Sequence, residues 1–331
     1  MYCKGSLRKT TEKSLQQGYS TAHLKSMYGQ SRPVKVKGTS ESFDEMVAEH
    51  TTGASISGVQ RKMFMRLEND VLVPCNQGRY IVKPTPKNLP QLAANEHALM
   101  KLAEQLKLNV AKCSIAPFED GELAYVTKRF DFTQQTGIHL FIEDGASICD
   151  VHPMNKGSDA LSYENCIKQM VKACGGAIAI AVQAVKLVLF SYIVGNNDLH
   201  LKNFSLQRHP SRKTHIMDGF TPVYDVLSVA PYNDYDNCYL SLSLLQSEIQ
   251  SEFSSSYEAY GYYTKHDFIL LLNALGIKES VAEKVILRFT SDLRKLSVDI
   301  IDASNLDPEF KTIISTRINE RTIAINKPII V

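Results

Sequence analysis

Hydrophobic and polar positions are distributed differently in the front and the rear of this chain. Between residues 62 and 130, apolar residues alternate with polar ones in short runs, which is the pattern of half-buried strands. The strands predicted in this way cover residues 62–67, 71–74, 79–83, 110–117 and 123–130. A helix is predicted among them, because Leu92, Leu99 and Leu102 follow a helical spacing. The front part is therefore expected to be rich in β-structure.

The rear part is dominated by helical periodicity. The helices predicted there cover residues 163–174, 177–194, 268–275 and 280–296. Thr264 and Asp267 form a capping box before the third of these helices, and Gly276 ends it. Two short runs, 204–206 and 213–217, are expected to pair as a hairpin. The whole pattern predicts an α+β protein with a β-rich lobe followed by a mainly helical one.

The N-terminal segment is polar and basic. From Met1 to Lys37 there are eight Lys or Arg residues and one acid, Glu12. We expect a solvated, poorly ordered arm, with short helices over residues 22–28 and 43–50. The expected divisions are a basic arm over 1–42, a β-rich lobe over 43–132 and a helical lobe over 133–331.

Composition narrows the function only slightly. The 331 residues are 44% apolar and 22% charged, and the net charge of +2 predicts neither direct DNA binding nor membrane binding. The seven cysteines include no CxxC pair, which favours a reducing compartment without structural zinc. No hydrophobic leader is visible, and the most apolar window, 177–195, is interrupted by Gln183 and Lys186. A cytoplasmic protein with a buried core helix is expected.

One polar stretch stands between two apolar segments in the rear part. It carries Asp198, His200, Lys202 and Asn203, and the chain turns apolar again at Phe204. This arrangement is typical of a catalytic loop on a rigid scaffold. Asp198 and Asn203 are also five residues apart, as are the Asp and Asn of phosphoryl-transfer loops.

Phosphoryl transfer from ATP has four physical requirements. Backbone N–H groups must cover the phosphates, a cation must contact them, oxygen ligands must hold Mg²⁺, and a group must accept the hydroxyl proton. The candidates, in chain order, are the Gly- and Ser-containing turn from Gly53 to Gly58, Lys83 with Glu96 as its anchor, Asp198 as proton acceptor, and Asn203 and Asp225 as metal ligands. Each feature is weak by itself, but their joint order favours an ATP- and Mg²⁺-dependent enzyme.

These motifs resemble the HipA-type serine/threonine kinases of bacterial toxin–antitoxin systems, and more closely the shorter HipT-type members. The residues that carry the resemblance are Ser55-Ile56-Ser57-Gly58-Val59-Gln60 with Lys62, Tyr80-Ile81-Val82-Lys83-Pro84, Asn95-Glu96, Lys128-Arg129-Phe130-Asp131, Asn197-Asp198-Leu199-His200-Leu201-Lys202-Asn203-Phe204-Ser205, and Pro222-Val223-Tyr224-Asp225-Val226-Leu227-Ser228. The resemblance implies a two-lobed, protein-kinase-like fold.

The resemblance also implies roles for single residues. Asp198 would be the catalytic base, supported by His200 and Lys202, and Asn203 and Asp225 would bind Mg²⁺. The groups that would contact ATP are Ser57, Gly58 and Val59 of the glycine-rich loop, Lys83 with Glu96, and Lys128, Arg129 and Phe130 beside the adenine. Ser55 and Ser57 stand where family members autophosphorylate.

The family's biology implies a target and partners. Members phosphorylate aminoacyl-tRNA synthetases, with the glutamyl and tryptophanyl enzymes as precedents, and so halt translation and growth. Longer members carry an extra N-terminal subdomain, which HipT-type systems supply as a separate small antitoxin protein. We therefore expect that small protein and a helix-turn-helix DNA-binding protein as partners.

Two other functions fit parts of the pattern. A small-molecule phosphotransferase would use the same Asp, Asn and Asp chemistry, and the acidic pair Asp234 and Asp236 is compatible with a cationic substrate, although a solvated loop explains the pair better. A binding module that kept the fold and lost catalysis is the third hypothesis. The intact set of Lys83, Asp198, Asn203 and Asp225 argues against that hypothesis.

Overall fold

A computed structural model of the protein describes residues 1–50, 61–133, 137–157 and 160–330. These residues form two compact units. The first unit consists of Met1–Leu102, Ala111–Arg129 and Asp299–Lys311, and the second of Ala103–Val110, Phe130–Val298 and Thr312–Val331.

The first unit is built on a six-stranded sheet. The six strands of this sheet are β3 (Lys35–Val36), β4 (Met63–Glu68), β5 (Val71–Pro74), β6 (Tyr80–Lys83), β7 (Cys113–Pro117) and β8 (Leu123–Lys128). Two further strands, β1 (Leu15–Gln16) and β2 (Tyr19–Ser20), pair with each other in a separate two-stranded sheet. Its helices are α1 (Thr21–Tyr28), α2 (Phe43–His50) and α3 (Leu92–Gln105), the last of which continues into the second unit. The sheet order is β3-β5-β4-β6-β8-β7, and only the β3–β5 pair is parallel. The strands predicted from alternation are confirmed, with ends shifted by a few residues.

The core of the first unit follows from that alternation. Met63 and Met65 of β4 point to the buried face of the sheet, as do Val82 and Val126 on the neighbouring strands. Each buried side chain of this size contributes about 1.5–3 kcal/mol to folding. The same core fixes β6, whose last residue is Lys83.

The expectation of a solvated N-terminal arm is wrong. Cys3, Leu7, Leu24 and Met27 are at most 2% exposed. Nε2 of His23 on α1 also lies 2.9 Å from Oγ of Ser114 on β7. Apolar residues at irregular intervals pack on the sheet, while most of the basic side chains remain in water. A count of charges alone therefore did not show that this segment is folded against the sheet.

The second unit is mainly helical and holds a small antiparallel sheet of order β11-β10-β9. The strands are β9 (Phe141–Asp144), β10 (Ser205–Arg208) and β11 (Gly219–Phe220). The helices are α4 (Gly145–Ile148), α5 (Tyr163–Ala173), α6 (Ile178–Val194), α7 (Ser255–Tyr260), α8 (Lys265–Ala274), α9 (Glu279–Ala303) and α10 (Pro308–Ile325), of which α9 and α10 include residues of the first unit.

Helix α6 is the central element of the second unit. Twelve of its fifteen side chains from Ile180 to Val194 are buried, as expected for a core helix. It ends at Gly195, which has φ of 74° and is closely packed, since a Cβ there would lie 3.3 Å from Oγ of Ser228. Both the positive φ and the close packing therefore favour glycine at the start of the polar loop.

The predicted hairpin is only half right. The 204–206 run does enter β10, but 213–217 is not a strand, and β10 pairs instead with β9 and β11. The intervening loop is held by polar contacts, because Nη1 of Arg208 donates to the Thr214 carbonyl at 2.6 Å and Nε of Arg212 lies 3.0 Å from Asp218. These contacts take the place of the strand-pairing hydrogen bonds that a hairpin over 213–217 would have made.

The C-terminal helices agree with the sequence pattern in part. The capping box of Thr264 and Asp267 is present at the start of α8, which confirms that prediction. Helix α9 is longer than the predicted 280–296, and α10 was not delimited from the sequence. Among the described residues, no helix combines the length and the hydrophobicity that crossing a bilayer requires.

Candidate functional site

The polar loop after α6 is held in shape by hydrogen bonds among its own residues. The Asp198 carbonyl accepts two hydrogen bonds, from the His200 N–H at 2.8 Å and from Nδ2 of Asn203 at 3.0 Å. Residues Leu201–Asn203 form a single 3₁₀ turn before β10 begins. The side chain of Asn196 accepts from the Asp198 N–H at 3.3 Å. The backbone of Asp198 is thus held at its N–H by Asn196 and at its carbonyl by Asn203.

The Asp198 carboxylate is open to solvent, with 70% of the side chain exposed. Its pKa is nevertheless raised from the ordinary value. The surrounding protein atoms partly desolvate the carboxylate, and Asp225 adds a second negative charge nearby. His200 and Lys156 act in the opposite direction. An accessible carboxylate with a raised pKa is suited to accept a proton from a bound hydroxyl.

His200 lies beside Asp198 and is buried. Its Nε2 is 3.8 Å from Oδ1 of Asp198 and 2.7 Å from Nζ of Lys156. Burial lowers the pKa of His200, Lys156 lowers it further, and the carboxylates of Asp198 and Asp225 oppose this shift. The net shift favours the neutral imidazole. Lys156 carries no recognisable motif, and sequence analysis did not find it.

Asn203 and Asp225 supply oxygen atoms. Because Nδ2 of Asn203 donates to the Asp198 carbonyl, Oδ1 is the atom left to bind a cation. Asp225 has φ of 60°, a left-handed conformation that is uncommon outside glycine and that occurs often at functional sites. Its charge acts on both Asp198 and His200, which places these predicted residues in one neighbourhood.

The donor set fits Mg²⁺ bound together with phosphate oxygens. Within the described ranges no cluster of three or more His, Cys, Asp or Glu residues forms a metal cage. Mg²⁺ prefers oxygen ligands and usually takes only one or two carboxylates, with water and substrate phosphates completing its shell. Asp225 and Oδ1 of Asn203 meet that requirement by their chemistry.

Two tyrosines to which the sequence analysis gave no role hold the loop through their hydroxyl groups. The Tyr224 hydroxyl donates to the Lys202 carbonyl at 2.7 Å and lies 2.8 Å from Oγ of Ser205. The Tyr163 hydroxyl donates to the Leu199 carbonyl at 2.7 Å. The predicted residue Lys202 is thus placed in the loop, with its backbone held by Tyr224.

In the first unit, Lys83 and Glu96 form the predicted ion pair. Nζ of Lys83 lies 2.8 Å from Oε1 and 3.1 Å from Oε2 of Glu96. The Tyr125 ring centroid is 5.6 Å from the same Nζ, on the facing strand β8. A lysine in this setting is rigidly directed, as a phosphate-binding cation must be.

The three residues at the end of β8 have different surroundings. Loss of water lowers the pKa of Lys128, and the charges of Lys112 and Arg79 add to the effect. The Arg129 guanidinium lies 4.2 Å from the Phe64 ring centroid within the first unit. Phe130 belongs to the second unit, where its ring lies 5.6 Å from that of Tyr224. Their role beside adenine stays a prediction.

The glycine-rich loop lies outside the described residues. The residues left outside include the turn from Gly53 to Gly58 and the predicted ATP contacts Ser57, Gly58 and Val59. They also include Ser55, the second predicted phosphorylation position. The roles assigned to these residues stay predictions.

The fold is of the protein-kinase-like α+β class. A chain in the solved complex of HipA, HipB and operator DNA from Shewanella oneidensis MR-1 superposes with a TM-score of 0.66 at 21% identity. The superposition covers 82% of this chain and 65% of that one. At this identity the match shows the fold, and it confirms the predicted fold class.

Sequence comparison shows the family. The model of the HipA-like C-terminal domain matches residues 54–296. A Haemophilus influenzae protein named "Putative kinase" is 30% identical over 257 residues, which are 73% of each chain. The serine/threonine-protein kinase toxin HipA of Shewanella oneidensis is 29% identical over 162 residues, which are 44% of this chain and 36% of that toxin. The chain belongs to the family of proteins with a HipA-like C-terminal domain.

Proposed function

We propose that this protein is a serine/threonine-protein kinase that uses ATP and Mg²⁺ and acts as the toxin of a HipA-type toxin–antitoxin system. The observation that carries the proposal is the polar loop itself. It presents an accessible carboxylate at Asp198 with a raised pKa, and it commits the amide nitrogen of Asn203 to the backbone so that the oxygen remains for a cation. Family membership supports the same activity.

The residues of the chain then have the following roles. Asp198 accepts the proton of the substrate hydroxyl, while His200 and Lys202 support the loop. Asn203 and Asp225 hold Mg²⁺, and Lys83, fixed by Glu96, contacts the ATP phosphates. When bound, Mg²⁺ would neutralise charge on the phosphate oxygens. In this proposal Lys128, Arg129 and Phe130 contact the adenine, and Ser57, Gly58 and Val59 of the glycine-rich loop also contact ATP.

The proposed substrate is a serine of an aminoacyl-tRNA synthetase of the glutamyl or tryptophanyl type. Its phosphorylation would stop translation. Ser55 and Ser57 are proposed to be autophosphorylated, which adds a charge of about −1.5 to −2 to the loop at pH 7. The resemblance to HipT-type members supports a small antitoxin partner, and the HipB in the related complex supports a helix-turn-helix partner.

Labelled ATP tests the central proposal. The purified chain is incubated with Mg²⁺, γ-labelled ATP and a bacterial lysate, beside Asp198→Asn and the control Asp234→Asn, which changes an exposed acid of the same unit. We expect label on one major protein with the wild type and the control, and a loss of about 10²–10⁴-fold in Asp198→Asn. Equal labelling by all three proteins would show that Asp198 is not the base.

The same assay separates the protein kinase from a small-molecule phosphotransferase. Label found only in small molecules would contradict the proposed substrate class. The structure offers little support for a cationic small substrate, because Asp236 is paired with Arg317, whose Nη1 lies 2.9 Å from Oδ1. The guanidinium holds the pKa of Asp236 below its ordinary value.

Two further measurements address the finer assignments. Mass spectrometry after incubation with Mg²⁺ and ATP is expected to find phosphate on Ser55, Ser57 or both, and an unmodified loop in an active enzyme would contradict self-modification. Phosphoproteomics after brief expression is expected to show a synthetase as the main new phosphoprotein. Growth arrest without a modified synthetase would contradict that target.

A further inference from the structure

Lys156 is joined to the polar loop by its side chain and by its backbone. Its Nζ lies 2.7 Å from Nε2 of His200, and its carbonyl accepts the Leu201 N–H at 3.1 Å. The next residue, Gly157, is within ordinary contact range of the imidazole residue, since a Cβ there would lie 3.8 Å from Cβ of His200. A segment 44 residues away in the sequence is therefore fixed against the loop at the imidazole.

The direction of the side-chain hydrogen bond follows from the chemistry of the two groups. A lysine ammonium carries three donors and no acceptor, so Nε2 of His200 must be the acceptor. A neutral imidazole with an accepting Nε2 carries its proton on Nδ1. Lys156 thus selects one of the two tautomers of His200.

No other described side chain makes that selection. Nδ1 of His200 is buried and has no hydrogen-bond partner among the described residues, so neither tautomer gains a bond on that side. Nε2 is also the atom that faces the Asp198 carboxylate, at 3.8 Å from Oδ1. If Nε2 carried the proton, a small shift of the ring towards Oδ1 would let it donate to that carboxylate.

We propose that Lys156 is a positioning residue that keeps Nε2 of His200 as an acceptor and thereby leaves the Asp198 carboxylate free for the substrate hydroxyl. Without the ammonium, the imidazole would place its proton on Nε2 and donate to Asp198. A carboxylate that already accepts a strong hydrogen bond is a weaker and less available base. This inference rests on the proposed kinase function.

The tautomer can be measured without any activity assay. Protein labelled with ¹⁵N-histidine is examined by NMR at about pH 8, well above the ordinary histidine pKa of about 6.5. The His200 signals are assigned by their loss in His200→Gln. We expect Nδ1 to be protonated in the wild type and in Lys156→Arg, which keeps the donors. In Lys156→Met, which keeps the length and the main-chain carbonyl, we expect the proton on Nε2.

Turnover tests the consequence of the tautomer. Lys156→Met is expected to lower kcat for phosphoryl transfer about 10- to 100-fold with KM for ATP nearly unchanged, as a small misplacement at a reacting group does. Lys172→Met, which changes an exposed lysine on α5, is the matched control and should keep wild-type turnover. In a His200→Gln background, Lys156→Met should cause little further loss, because Lys156 acts through His200.

The outcomes separate this inference from the proposed function. An unchanged tautomer in Lys156→Met would overturn the inference even if turnover fell. A changed tautomer with unchanged turnover would also overturn it, because the selection would have no effect on Asp198. A wild-type chain that transfers no phosphoryl group in any assay would refute the kinase function, whereas the NMR result would still stand for the tautomer itself.

Discussion

Nζ of Lys83 and the carboxylate of Glu96 form a buried ion pair, with only 7% and 1% of the two side chains exposed. The pair joins the end of β6 to the first turns of α3. Removing two charges from water costs several kcal/mol per ion, so such a pair is a weak way to stabilise a fold. In this protein the ion pair instead fixes the direction of the Lys83 ammonium at the end of β6.

Breaking this pair should be costly. Glu96→Gln removes the carboxylate that pairs with the buried Lys83 ammonium, and we expect the free energy of unfolding to fall by about 3–5 kcal/mol. Urea unfolding of the purified variant measures this. The control is Glu41→Gln, since Glu41 pairs with Lys87 at 3.0 Å on the surface, with 76% and 86% of the side chains exposed. That loss should stay below about 1 kcal/mol, and equal losses would contradict the argument.

The raised pKa of Asp198 predicts a stability effect with a definite sign. The charged carboxylate is less favourable in the folded chain than in the unfolded one. The stability that this group contributes is therefore fully present below its ordinary pKa of 3.8 and is lost as the pH rises through the raised value. At neutral pH, Asp198→Asn removes an unfavourable charge and should be at least as stable as the wild type.

Thermal unfolding between about pH 4 and 8 checks this prediction. The Tm advantage of Asp198→Asn should shrink towards the acidic end, where the wild-type carboxyl also becomes neutral. Asp234→Asn, at an exposed loop position, should show no such trend. A Tm of Asp198→Asn that is clearly lower at pH 7 would mean that the carboxylate stabilises the loop. It would then be a structural residue and a poor candidate for the base.

Asn203 should affect metal dependence as well as turnover. Asn203→Ala removes the amide that donates to the Asp198 carbonyl and the oxygen assigned to Mg²⁺. We expect turnover to fall about 100-fold, because the proton acceptor is displaced, and we expect a higher Mg²⁺ concentration to be needed for half-maximal activity. Asn233→Ala, at an exposed loop position, is the control. An unchanged Mg²⁺ requirement would remove Asn203 from the metal ligands.

Local patterns were sufficient for much of the fold and for part of the site. Alternation located β4, β5 and β6, and helical spacing located α3, so the pairing of Lys83 with Glu96 was predictable from the sequence. The contact between Asp198 and Asn203 was predictable for the same reason, since their hydrogen bond closes over five residues. Where geometry follows from short-range spacing, the sequence is informative.

Contacts between distant segments were not predictable in this way. Lys156 meets His200 across 44 residues, and Tyr163 reaches Leu199 across 36, with no motif to mark either the lysine or the tyrosine. The N-terminal segment was misjudged because its basic residues dominate the composition while irregularly spaced apolar residues such as Leu7 make the contacts. Tertiary packing decides such cases, and local propensity does not.

The hydroxyl of Tyr224 should contribute to the free energy of unfolding, because it holds the polar loop. Burial raises the pKa of Tyr224 to about 12, so the phenol stays neutral and donates to the Lys202 carbonyl while contacting Ser205. Tyr224→Phe leaves these groups unsatisfied and should cost about 1–3 kcal/mol of unfolding free energy, measured in urea. Tyr235→Phe is the control, because that side chain is 49% exposed. Similar costs in both variants would contradict a specific role, whereas a loss confined to Tyr224→Phe, with reduced phosphoryl transfer, would show that the loop depends on this hydroxyl.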